Sequence, residues 1–196
     1  KEVFEEVLKD EPRNFDVNMN YAKCLYYVGE FSLSISKHRE VIKLSSNDFT
    51  TSEIQNIIGK AQNLLKLLSE GREFYAKFKY RKASKVYGQA LNVDPTNQVA
   101  AAIIFNNRAM VLKQMRYFKE ALKDFEQVEL LNPSDKTIFE KRAICHYKLK
   151  NFQQCINDCH EAMKIRPSKM TETTMKKAQK KLHQSYGKEF NENRRR

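Results

Sequence analysis

Gly71–Pro95 reads GREFYAKFKYRKASKVYGQALNVDP, and its skeleton is Gly71, Phe74, Tyr80, Ala83, Tyr87, Ala90, Val93, Pro95. The same skeleton returns as Ala109, Leu112, Phe118, Ala121, Phe125, Val128, Leu131, Pro133, and again as Ala143, His146, Phe152, Cys155, Cys159, Ala162, Ile165, Pro167. The last two copies are offset by 34 residues and the first two by 38, with four extra residues in the Gln98–Ala102 region. A weaker copy lies upstream as Ala22, Leu25, Phe31, Ser34, His38, Val41, Leu44. Fixed-period self-similarity of this length means stacked supersecondary units, none of which can bury its apolar face alone.

A 34-residue period with two fixed small residues and a closing proline resembles the tetratricopeptide repeat (TPR). That resemblance implies an all-α solenoid of antiparallel helix pairs in a right-handed superhelix, ended by a capping helix. The small residues sit where paired helices cross, because larger ones there would overpack at a cost of about 1–3 kcal/mol. The aromatic that opens each second helix (Phe31, Tyr80, Phe118, Phe152) fills the space at the turn. Proline after the second helix lacks an N–H and stops it.

This reading places helices at about 15–28, 31–44, 52–77, 80–93, 98–114, 118–131, 136–149, 152–165 and 169–186. From Thr51 to Lys77 the apolar positions Ile54, Ile57, Ile58, Ala61, Leu64, Leu65 and Leu68 keep helical spacing, which gives one long linking helix. Ser45–Thr50 is the polar break, read as a joint. Three segments follow: 1–50 with a partial and a full repeat, 51–170 with three repeats, and 171–196 as a basic capping helix and tail. Lys1–Pro12 reads as the second helix of a repeat whose first helix is missing, so a fragment of a longer array is expected.

Five Gly and four Pro suit an all-helical chain. No apolar run reaches the roughly 18 residues of a membrane span, and no signal peptide is visible. Cys24, Cys145, Cys155 and Cys159 fall at core or near-core repeat positions, where Cys serves as a small hydrophobe. Without a CxxC pair no metal site is read, and no cofactor. Reduced thiols suit a cytoplasmic setting, with the nucleus also compatible. No Gly-rich phosphate loop and no nucleophile with a matching base and acid is present, so the chain is not read as an enzyme. The net charge of +12 is uneven: −2 over 1–63, +6 over 64–163 and +8 over 164–196. Lys176, Lys177, Lys180, Lys181 and Arg194–Arg196 form a solvated basic end or an acidic-partner surface. With only Tyr186 and Phe190 as interleaved aromatics, nucleic acid is not the expected partner.

Across Phe31–Lys181 the chain is most similar to TPR co-chaperones that carry a J-domain after the last repeat. The features behind this are the long helix before Gly71, the insertion before "FNNRA" (Phe105–Ala109), and the basic "TMKKAQKKL" (Thr174–Leu182). No His-Pro-Asp motif occurs in the chain. The resemblance implies a protein-interaction module, a co-chaperone adaptor holding a chaperone tail or an unfolded client in its concave groove. A scaffold working through convex or end surfaces is the alternative. The groove residues that it implies are Arg72, Tyr75, Asn106, Asn107, Lys113, Lys141, Tyr147 and Lys148, with Met19, Tyr26, Met110 and Ile144 also at groove positions. Related co-chaperones grip an acidic Glu-Glu-Val-Asp tail through a carboxylate clamp. Here Asn107 matches the clamp asparagine and Lys141 replaces an arginine, which keeps the charge but not the bidentate fork. Arg72 replaces an asparagine, Leu68 a lysine and Thr137 a lysine, with Lys136 adjacent. An altered peptide specificity is therefore expected.

Overall fold

The computed structural model describes residues 1–45 and 48–193, without side chains at 48 and from 186 onward. Ser46 and Asn47 of the polar break, the Tyr186 and Phe190 side chains and Arg194–Arg196 lie outside the described residues. Among the described residues the chain forms α1 (Glu2–Asp10), α2 (Phe15–Tyr27), α3 (Phe31–Leu44), α4 (Asp48–Ala76), α5 (Tyr80–Ala90), α6 (Gln98–Gln114), α7 (Phe118–Leu131), α8 (Ile138–Lys148), α9 (Phe152–Ile165) and α10 (Lys169–Asn193), with no strand. The expected pairing of short helices is present. The linking helix starts earlier than its apolar pattern predicts, at Asp48, and α8 starts later, at Ile138.

The chain packs as two compact units, one from Lys1 to Ile104 and one from Phe105 onward. Within both, the fixed small residues are buried: Ala22, Ser34, Ala83, Ala109, Ala121 and Cys155 are fully enclosed, and Ala143 nearly so. Their size matters at the crossings. Ser34 Oγ donates to the Ala22 carbonyl oxygen 2.9 Å away, and a Cβ added to Gly71 would stand 2.5 Å from the Tyr87 ring. The opening aromatics meet their partners edge to face, with centroid distances of 5.7 Å for Tyr26–Phe31, 5.6 Å for Tyr75–Tyr80 and 5.9 Å for Tyr147–Phe152.

The turn inside each hairpin follows one backbone rule. Gly29, Phe78, Arg116 and Lys150 all have positive φ (85°, 57°, 63° and 63°), and each stands seven residues after the first small residue. The following residue closes the helix end. Glu30 N–H donates to Leu25 O, Lys79 to Phe74, Tyr117 to Leu112 and Asn151 to His146, at 2.8–2.9 Å. This six-to-one bond is the usual left-handed helix stop, here mostly without glycine.

In the first unit α1 lies on α2 through the stacked rings of Phe4 and Tyr21, 5.6 Å apart, and Tyr21 Oη donates to Glu5. Burial, then that bond, push the Tyr21 phenol up to about 12. α4 turns Ile54, Ile58, Ala61, Leu64 and Leu68 inward, at the helical spacing the sequence shows. A polar node ties the distant ends of this unit. Tyr26 Oη donates to Asp94 Oδ2 at 2.7 Å, and Asn97 Nδ2 donates to the Tyr26 carbonyl at 3.1 Å. Asn97 Oδ1 also caps α6 by accepting from Ala100 N–H at 2.9 Å.

The second unit has two linked cores. One gathers Ala109, Ala121, Phe125, Val128, Ile138 and Cys145. The other gathers Ala143, Cys155, Ile156, Cys159 and Ala178, with Met175 and Leu182 of α10 against it, so α10 covers the last hairpin as expected. Cys145, Cys155 and Cys159 are buried packing residues and Cys24 is half-buried; burial, opposed by Lys113 and helped by the Asp158 carboxylate, pushes the Cys145 thiol up to about 11.

Candidate functional site

In the second unit, α6 and α8 each present one face of side chains spaced by three or four residues. Asn106, Asn107, Met110 and Lys113 stand on α6, and Lys141, Ile144 and Lys148 on α8. Lys141 Nζ donates to Asn106 Oδ1 at 3.1 Å, which draws two of the expected groove residues together. Lys113 lies close enough to be affected by Lys141. Burial pulls its ammonium below the ordinary lysine range and Lys141 pushes it the same way, against the pull of Cys145 and Glu140. Glu140 is held aside by Thr171 Oγ1, which donates to it at 3.1 Å. The result is two half-buried ammonium groups, one of them held on the Asn106 amide. That arrangement favours an anionic group carrying hydrogen-bond acceptors.

The other expected residues have different surroundings. Lys148 is exposed at the end of α8. Tyr147 packs on Phe152 at the edge of the last core. In the first unit Arg72 is exposed on α4 and Tyr75 is half-buried beside Tyr80. Met19 and Tyr26 are buried, at 7% and 2% exposure, so the expectation that they line a groove gives way to a packing role. The Tyr26 hydroxyl is taken up by Asp94. Met110 packs against the Ala109–Phe125 core. Of the altered clamp positions, Leu68 is a core residue. Thr137 sits in an Asx turn, its N–H and hydroxyl both donating to Asp135 Oδ1. Lys136 Nζ lies over the Phe139 ring, 5.5 Å from its centroid.

Two features escaped the sequence reading. Arg108 makes a two-pronged pair with Asp124 at 2.8 and 2.7 Å. Arg142 repeats it with Asp158 at 2.9 and 2.7 Å and adds Glu129 at 2.5 Å. Both pairs brace the first helix of a hairpin to the second. Their signal was an Arg and an Asp recurring at the repeat interval, masked because the skeleton was read through its apolar residues. The second is Asp94. Burial alone would raise its carboxyl, but hydrogen bonds from Thr96 and Tyr26 outweigh burial and hold it below the usual range.

The hairpins, their turns and their crossings form an all-α helical repeat, and residues 102–135 match the tetratricopeptide repeat family model. The P58(IPK) TPR domain has the same fold, with a TM-score of 0.77 over 93% of this chain and 50% of that one, at 18% identity. By sequence the chain is similar to a DnaJ homolog subfamily C member 7 homolog of Schizosaccharomyces pombe, 26% identical over 84% of this chain and 34% of that protein. The first TPR of Spaghetti (RPAP3), solved bound to the HSP90 peptide SRMEEVD, has a TM-score of 0.56 at 21% identity, over 62% of this chain and 94% of that one. The chain spans about a third of the length of the curated relatives it matches. No helix among the described residues is long and apolar enough to cross a membrane.

Proposed function

We propose that this chain is a peptide-binding adaptor of the chaperone system, taking an acidic C-terminal tail on the α6–α8 face of its second unit. The observation that carries this reading is the Lys141–Asn106 contact beside the half-buried Lys113. The Lys141 ammonium there donates to a neutral amide, so a carboxylate would be a stronger partner in its place. Asn107 supplies the amide expected of a clamp asparagine, and Lys148 extends the basic face. Arg72 and Tyr75, on α4, are proposed as peptide contacts of the first unit by itself. The resemblance to co-chaperones, and a structural neighbour that holds an HSP90 peptide ending in Glu-Val-Asp, support an acidic tail over other anions.

A titration tests it: a Glu-Glu-Val-Asp-ending peptide against the same peptide with its terminal carboxylate amidated. The free acid is expected to bind and the amide to bind at least about tenfold more weakly, since one charge-assisted hydrogen bond contributes about 1.5–3 kcal/mol. Lys141→Ala and Asn107→Ala should each remove that preference. Equal binding of both peptides, or of neither, would end the tail reading and move the scaffold reading ahead.

A further inference from the structure

Two glycines of α4 are explained differently by the fold. Gly71 is required, because the Tyr87 ring stands where its side chain would be. Gly59 is not: it is helical and exposed, and a Cβ added there would meet nothing within 4 Å. A glycine inside a helix weakens it relative to alanine, so a position that tolerates alanine without contact gains nothing for the fold from being glycine. What glycine offers instead is an uncovered stretch of helix backbone that another molecule can approach closely.

Gly59 lines an open cleft of about 800 Å3 between α4 and the end of α5. Four amides stand in its walls beside the apolar Leu67 and Val93: Asn56 and Asn63, one turn to either side of Gly59, and Gln89 and Asn92 across from them. The cleft's one charged lining residue is Lys60, whose Nζ lies 3.6 Å from Asp94 Oδ2. The lining therefore carries little net charge, and each of its four amides offers both donor and acceptor. An amide side chain offers two N–H donors and a carbonyl acceptor, the complement of a peptide backbone's C=O and N–H. Sugars and bases are bound with the help of aromatic stacking, and no aromatic lines this cleft.

We infer that the α4–α5 cleft of the first unit is a second peptide site, one that reads the main chain of an extended, uncharged segment passing over Gly59. It is independent of the proposed tail site: it lies on a different unit and takes a different ligand chemistry. The two sites would let the chain hold a polar, unstructured stretch and an acidic tail at once.

The test is an NMR titration of the full chain, following side-chain amide and backbone signals. The probe is an uncharged hexapeptide of Ser, Asn, Gly and Gln with acetylated and amidated ends, and methyl glucoside is the comparison. The hexapeptide is expected to shift the amide signals of Asn56, Asn63, Gln89 and Asn92 saturably, while the glucoside leaves them unmoved. Gly59→Leu, which covers the exposed backbone and projects a side chain into the cleft, is expected to weaken those shifts by about tenfold or more while keeping a dispersed spectrum and an undiminished thermal midpoint. Asn63→Ala, at an exposed position, repeats the test without changing the glycine and should weaken them as well. Absence of saturable shifts at these amides would overturn the inference. So would shifts that persist in both variants, or a response to the glucoside instead.

Discussion

Gly59→Ala and Gly71→Ala make the same change in the same helix, yet the structure assigns them different outcomes. Each gains the helix propensity of alanine, about 0.5–1 kcal/mol. At Gly59 nothing opposes this gain, because the new methyl meets open space. At Gly71 the methyl would lie 2.5 and 2.6 Å from Cε1 and Cζ of Tyr87. That ring is 2% exposed and has nowhere to swing. Overpacking of this kind costs about 1–3 kcal/mol, so Gly71→Ala should run from near neutral to about 2.5 kcal/mol destabilising. The gap between the two variants, about 1–3 kcal/mol, isolates the steric cost, since the propensity gain is common to both. Urea unfolding followed by helical circular dichroism measures it, with the slope required to stay constant so that the midpoint alone reports stability. Tyr87→Leu in the Gly71→Ala background should recover part of the loss, and the double-mutant cycle gives the coupling. Two variants equally stabilised, within about 0.3 kcal/mol, would show that the crossing of α4 and α5 does not depend on the missing side chain, and the steric account of the repeat's small residues would fail with it.

Three further outcomes follow from named contacts. Asp158→Ala strips two charge-assisted hydrogen bonds from Arg142 but leaves it Glu129, so the loss should fall at the low end for a broken buried pair, about 3 kcal/mol, measured by denaturant unfolding; a loss under about 0.5 kcal/mol would mean that the brace is ornamental. His38 Nδ1 bonds the Ser34 carbonyl, while its Nε2 and His146 Nδ1 are buried without a partner among the described residues. Burial lowers both histidine pKa values, so below about pH 6.5 the unfolded chain binds more protons than the folded one and stability falls as pH falls; a melting temperature as high at about pH 5.5 as at pH 7.5 would contradict this. Deleting 171–196 removes Met175, Ala178 and Leu182 from the last core and should destabilise the α8–α9 hairpin by about 2–4 kcal/mol, with an unchanged melting temperature as the refuting result.

The all-helical repeat was legible because its determinants are local and periodic. A small residue at each crossing and an aromatic at each turn recur at one interval, and in the structure Ala22, Ala83, Ala109 and Cys155 are all fully buried. Helix limits were less legible where side chains compete for the backbone. Asp135 captures Thr137 in an Asx turn and delays α8 to Ile138. The hairpin turns were placed by the repeat, but their left-handed residue was not legible: three of the four are Phe78, Arg116 and Lys150, and none announces positive φ by its type. At the candidate site, Lys113 and Lys141 were singled out through the repeat frame that the family resemblance supplies, and Lys141 meets Asn106 of the same expected set. The burial of Tyr26 was not legible, because the partner that takes up its hydroxyl, Asp94, lies 68 residues away in the sequence.

The bracing of the two units has a consequence for the order in which the chain acquires structure. In the second unit the Arg–Asp pairs close over 16 residues, whereas in the first the Tyr26–Asp94 and Asn97–Tyr26 bonds close over 68 and 71. Closing a longer loop costs more chain entropy before any contact repays it. The hairpins after Phe105 can therefore complete their polar pairing while still isolated, and the first unit must wait for α6 to reach α2. Pulse-labelled hydrogen exchange during refolding should find the amides of α7–α9 protected before those of α2 and the start of α6. Protection in the reverse order would show that the distant node, not the local brace, nucleates the array.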